Sequence, residues 1–88
     1  MLYVAPPYEI IQEHDFAERL DAITDKELLE RIERAIFWAL YTNPSALPMV
    51  PGFATIRYLP VTNWKDVSCI VLFRLDGISI YLLWLEPS

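Results

Sequence analysis

Thr24-Asp25-Lys26-Glu27-Leu28-Leu29-Glu30-Arg31-Ile32-Glu33-Arg34-Ala35-Ile36-Phe37-Trp38-Ala39-Leu40-Tyr41 is the stretch that decides the fold of this chain. Leu28 or Leu29, Ile32, Ala35 or Ile36 and Ala39 or Leu40 recur at three- and four-residue steps, which places them on one helical face. Glu27 with Arg31 and Glu30 with Arg34 stand four apart on the other face, in the favourable acid-first order. Thr24 with Glu27 three residues on is a capping-box pattern that opens the helix. Asn43-Pro44 closes it, because the residue before a proline is driven out of the helical region. The spacing therefore predicts a helix from about Thr24 to Thr42. Its last turn (Phe37, Trp38, Ala39, Leu40, Tyr41) is apolar nearly all round and is expected to be buried on more than one side.

Strands flank this helix. Met1 to Pro7 reads as an extended arm, since Pro6-Pro7 forbids helix. Tyr8 to Gln12 is a short first strand, and His14 to Ala22 a short helix that forms a hairpin with the long one near Ile23-Thr24. After it, residues 43–52 hold three prolines and a glycine and read as a loop. Leu47, Met49 and Val50 make that loop apolar enough to lie against the domain. Phe53 to Leu59 reads as the second strand, and Pro60 to Asp66 as a loop. Val67 to Leu75 and Ile78 to Leu85 read as the third and fourth strands, joined by a two-residue Asp76-Gly77 hairpin turn. The order β-α-α-β-β-β argues for an α+β domain spanning residues 1–88, with a helical hairpin packed on one face of a mainly antiparallel four-stranded sheet.

Strict alternation sets Cys69, Val71, Phe73 and Leu75 against Ile70, Leu72 and Arg74. It also sets Ile78, Ile80, Leu82 and Trp84 against Tyr81, Leu83 and Leu85. Both sides are largely apolar, whereas a sheet with one wet face alternates more cleanly. The second face is therefore expected to meet a loop, a second copy or a partner.

The 88 residues suit one small domain, and one cysteine, Cys69, excludes an internal disulfide and a cysteine-based metal cluster. The chain is 55% hydrophobic, yet no apolar run approaches the roughly 20 residues needed to cross a bilayer. No basic segment precedes an apolar one at the N-terminus, so no signal peptide is read. The default expectation is a cytoplasmic protein that uses no cofactor, metal or membrane. Net charge is −5, and Met1 to Pro44 carries nine acids against four bases. That acidity disfavours generic nucleic-acid binding.

Phe16-Ala17-Glu18-Arg19-Leu20 after a first strand, a long second helix ending in Asn43-Pro44, Gly52-Phe53-Ala54-Thr55-Ile56-Arg57, the Asp76-Gly77 hairpin and Ile78-Ser79-Ile80-Tyr81-Leu82-Leu83 together resemble the RelE/ParE superfamily of bacterial toxin-antitoxin toxins. The resemblance runs from Tyr8 to Leu85. It implies a protein neutralised by an antitoxin segment, with one of two activities: cleavage of messenger RNA on the ribosome, or inhibition of DNA gyrase. The cleavage needs a 2′-hydroxyl to lose its proton and cations to hold the charge on phosphorus. Family members supply these with basic residues on the sheet, a late Tyr or His, and a basic tail.

On that resemblance, Arg57, Lys65, Arg74 and Tyr81 are the catalytic candidates. Ser68-Cys69 stand where a Tyr-Arg pair usually begins the third strand, and the sequence ends at Glu86-Pro87-Ser88 in place of the basic tail. Three cationic contributions are thus expected to be absent or displaced. The first expectation is accordingly a toxin-like protein that binds an antitoxin or other protein partner without strong ribonuclease activity. The alternatives are a non-enzymatic homo-oligomerising (homodimeric) or regulatory module, and a ribosome-dependent mRNA endoribonuclease. Trp64, Leu83, Trp84 and Leu85 are the partner-binding candidates. His14 among acids reads as a local capping or surface residue, and Cys69 as a buried inert thiol. Arg74 and Tyr81 read as a cross-strand packing pair.

Overall fold

The computed structural model describes residues 8–40, 43–62 and 67–87. Lys65 and Trp64 lie outside the described residues. The elements are β1 (Glu9–Gln12), α1 (His14–Asp21), α2 (Lys26–Ala35), a π-helical turn (Ile36–Leu40), a 3-10 turn (Pro44–Ala46), β2 (Ile56–Thr62), β3 (Val67–Asp76) and β4 (Ser79–Pro87). The sheet order is β1-β4-β3-β2. β1 runs parallel to β4, while β4 with β3 and β3 with β2 are antiparallel. The expected α+β architecture is the observed one.

Phe16 of α1, Ile32 of α2 and Leu40 of the π turn share one buried core with Leu59, Val61, Cys69, Val71, Phe73, Ile80, Leu82 and Leu85 of the sheet. Both helices therefore cover the same face. Each large apolar side chain removed from water there contributes about 1.5–3 kcal/mol. The expected ion pairs form, with Arg31 2.8 Å from Glu27 and Arg34 2.6 Å from Glu30.

Several local expectations shift. The α2 cap is Asp25, not Thr24: its Oδ1 accepts from the Glu27 amide at 3.0 Å and the Leu28 amide at 3.3 Å. A carboxylate at the open end also meets the positive end of the helix dipole, which a threonine hydroxyl does not. The regular helix ends at Ala35, and the chain goes on as a π turn. In that turn Leu40 is buried, but Phe37 and Trp38 are 63% and 74% exposed, against the expectation of an end buried on several sides.

The second strand begins at Ile56, three residues later than expected, because Val50-Pro51-Gly52-Phe53 forms a turn. The Phe53 amide donates to the Val50 carbonyl at 3.0 Å, and Gly52 has φ +86°. Pro at the second position and glycine with positive φ at the third define a type II turn. The strand then runs through Pro60 to Thr62. Tyr58, two residues earlier, turns its amide outward to the Pro48 carbonyl at 3.0 Å. Pro60 has the same outward orientation on this edge strand, so its missing N–H costs no ladder bond. Pro48 to Val50 thus lies along the β2 edge, with Met49 bridged to Arg57. Leu47 packs on the core, as expected for an apolar loop.

The last hairpin turns on Gly77-Ile78 between the paired Asp76 and Ser79, one residue beyond the expected Asp76-Gly77. Gly77 has φ +61°. Positive φ at the first central position is what a type II′ hairpin requires. A bulge then interrupts the β3–β4 ladder: Phe73 opposes Leu82, but Leu72 opposes Trp84. Leu83 is the extra residue. One inserted residue reverses the facing of everything beyond it. Leu85 consequently turns into the core at 3% exposure, and Trp84 turns to the other side. Strict alternation had them the other way round.

Candidate partner surface

Cross-strand partners share a face, so the register maps the side of the sheet away from the helices. One row runs Tyr58–Leu72–Trp84, and the next Ile56–Arg74–Tyr81–Ile11. Leu83 joins them at the bulge. All are half-buried, as neighbours on a pleated face shield one another. Since α1 and α2 both pack on the opposite face, no helix covers these rows among the described residues. The second apolar face expected from the sequence is present.

Arg74 and Tyr81 are register partners, and the guanidinium carbon lies 4.4 Å from the Tyr81 ring centre. Arg74 Nη1 is also 4.0 Å from Asp76 Oδ2. The expected packing pair is observed. Arg57 stands opposite Phe73, a core residue, and so belongs to the helix-side face. Its Nη1 donates to the Leu47 carbonyl at 2.6 Å, which ties the 47–50 segment to β2. The structure therefore brings Arg74 and Tyr81 together and sets Arg57 across the sheet from them. Among the described residues no polar or charged residue is buried.

Of the partner-binding candidates, Leu83 and Trp84 lie on the uncovered face, and Leu85 lies in the core. Trp84 is held on two sides. Its Nε1 donates to Glu86 Oε2, and Arg19 of α1 stacks on its ring at 4.0 Å. Arg19 Nε also donates to the Leu85 carbonyl at 2.6 Å. β1 pairs with β4 only as far as Leu82, where the Glu13 amide still donates to the Leu82 carbonyl at 3.0 Å. Arg19 closes the edge where β1 stops. Sequence reasoning gave Arg19 no role, because the need for it arises only once the short β1 leaves half of β4 open.

His14 is exposed and 3.4 Å from Glu18 at the next turn, the surface role expected of it. His14, Asp15 and Glu18 bring their ligand atoms within 4.8 Å of one another, all exposed in the first turn of α1. Cys69 is buried at 3% exposure, and burial pushes its thiol pKa up, away from the reactive thiolate. An apolar cavity of about 200 Å³ lies beside it, lined by Arg19, Ala22, Ile23, Leu28, Leu85 and Pro87.

No protein-family model matches the chain, and no curated protein matches it in sequence. Among solved structures, a chain of the chromosomal ParDE toxin-antitoxin system from P. aeruginosa superposes with a TM-score of 0.73 at 16% identity, covering 94% of this chain and 98% of that one. At that identity the likeness is one of fold. The α+β architecture expected from the sequence is the one the chain has, and it is shared with that structure. No helix among the described residues is long and apolar enough to cross a membrane.

Proposed function

We propose that this chain is a toxin-like protein of a two-component pair, held by an antitoxin-like protein partner, without strong ribonuclease activity. The observation that carries this reading is the apolar sheet face of Tyr58, Leu72, Tyr81, Leu83 and Trp84, which no helix covers among the described residues. A contiguous apolar face of this kind marks an interaction site more often than idle surface. The fold neighbour, which comes from a toxin-antitoxin system, supports the same class of partner. Against RNA cleavage, the two candidate cations among the described residues, Arg57 and Arg74, do not converge. Arg57 is bonded to the Leu47 carbonyl on one face, and Arg74 is stacked on Tyr81 on the other. Phosphoryl chemistry on RNA needs such groups around one phosphorus.

The test is inducible expression in a bacterial host. Growth should stop, and co-expression of the product of a small gene adjacent to this one should restore it. Leu72→Asp with Leu83→Asp should leave the arrest but break the rescue. Cuts in translated messages, seen by primer extension and lost in an Arg74→Ala variant, would replace this reading with the ribonuclease. Unimpaired growth, with a homodimer in sedimentation, would replace it with the self-associating module.

A further inference from the structure

The cavity of about 200 Å³ beside Cys69 lies under the turn that joins α1 to α2, against the last residues of β4. Cys69 and Leu85, each 3% exposed, form its floor, and the half-buried Ile23 and Leu28 its walls. Ala22 and Pro87 are exposed and stand at its mouth. Water is a poor occupant. A held water needs about two to four polar partners, and every buried side-chain nitrogen and oxygen among the described residues is already bonded. An apolar cavity of about 150 Å³ is large enough for benzene. This one has room for a body of that size with a polar group at the mouth. Among the described residues Arg19 is the charged group on the lining. Its Nε donates to the Leu85 carbonyl and its plane stacks on Trp84. It forms no ion pair among the described residues, and Glu86 accepts from Trp84 Nε1 instead. Its two terminal nitrogens donate to no acceptor there.

We infer that this cavity binds a small monocarboxylate with a compact apolar body, an aromatic ring or a branched chain. The body lies between Ile23, Leu28 and Leu85, and the carboxylate meets the Arg19 guanidinium, whose planar fork suits two oxygens. A concave apolar site with one oriented polar group is the usual form of a small-molecule site. The end of α1 and the start of α2 both border the cavity, so their opposite partial charges offset and Arg19 decides the sign. The acids of the two helices are exposed, where salt screens them over about 8 Å. A ligand of higher negative charge is the wrong occupant, because one cation faces it on a chain of net charge −5. Cys69 supplies floor and no chemistry, since burial keeps its thiol protonated.

The experiment is an amide NMR titration of the full chain with three probes: benzoate, benzyl alcohol and acetate. Benzoate should bind with a Kd of about 1 mM or tighter, as suits a ligand of roughly nine heavy atoms. The shifts should centre on Ala22, Ile23 and Leu28. Benzyl alcohol, with the ring but no charge, should bind about tenfold more weakly. Acetate, with the charge but no ring, should not bind there. Arg19→Ala should lower benzoate affinity about tenfold and leave that of benzyl alcohol unchanged. Ala22→Phe, at an exposed position, should fill the mouth and abolish binding of both with an unchanged unfolding midpoint. Acetate shifting the same amides as benzoate would show an adventitious anion only and overturn the proposal. Equal affinity for benzoate and benzyl alcohol, no binding of either, or binding indifferent to Ala22→Phe would overturn it as well. Growth arrest and its rescue do not enter these readouts, so the sheet-face reading stands or falls separately.

Discussion

Arg57 and Arg74 project from opposite faces of the sheet, although both belong to the β2–β3 pair. Arg57 opposes the buried Phe73, whereas Arg74, next after Phe73, opposes Ile56. A one-residue step along a strand is a change of face. No side-chain rotation brings the two guanidinium groups onto one phosphate.

Arg57 is therefore expected to act on the 47–50 segment. Arg57→Ala leaves the Leu47 carbonyl without its donor and should cost about 1–2 kcal/mol. Amide exchange should quicken at Val50 and Tyr58, whose N–H groups bond across this edge, and hold in the β3 core. Uniform quickening would show that the bond supports more than the edge.

Arg19 protects the end of β4. Arg19→Ala removes the donor to the Leu85 carbonyl and the cation over Trp84 together, and should cost about 1–2 kcal/mol. It also bares strand edge, so self-association should rise with concentration in sedimentation. Arg19→Lys should not restore the parent behaviour, because an ammonium cannot both bond and stack as a planar fork does.

The architecture was readable because its signals are repeated. Helical spacing recurs from Leu28 to Leu40, and apolar residues fill both sides of the last two strands. What escaped were single events. A bulge at Leu83 changes no hydrophobic pattern, because every residue around it is apolar, yet it exchanges Trp84 and Leu85. The outward placement of Phe37 and Trp38 escaped for a related reason. An apolar ring around a helix end says that burial would be favourable, and tertiary structure decides which residues obtain it. The candidate site was legible as a face and as the Arg74–Tyr81 pair. The separation of Arg57 from that pair depends on strand register, which spacing to the nearest turn does not set.

The bulge can be tested by truncation. Leu85→Ala empties a core position and should cost about 2–5 kcal/mol. Leu83→Ala, on the half-buried face, should cost about 1 kcal/mol or less. The opposite ranking in denaturant unfolding would restore strict alternation along β4.

The helix start offers a comparison between neighbours. Asp25→Ala removes the acceptor for two α2 amides and should cost about 1 kcal/mol. Thr24→Ala, one residue earlier, should be close to neutral. Equal losses would show that the hydroxyl shares the cap.

Cys69 carries a pH dependence with a definite sign. Burial raises its pKa in the folded chain above the ordinary thiol value. Below that ordinary value both states keep the proton, and the thiol adds no pH dependence. Above it the unfolded thiol ionises while the folded one does not, so the unfolded state binds fewer protons and stability falls as pH rises toward the folded pKa. Cys69→Ala lacks this group but keeps every other titration. The stability advantage of the parent over Cys69→Ala, about 1–2 kcal/mol near neutrality for a buried sulfur, should shrink by about pH 10. A gap that stays constant between those conditions would mean that the thiolate is tolerated in place, and that Cys69 opens to water without unfolding of β3.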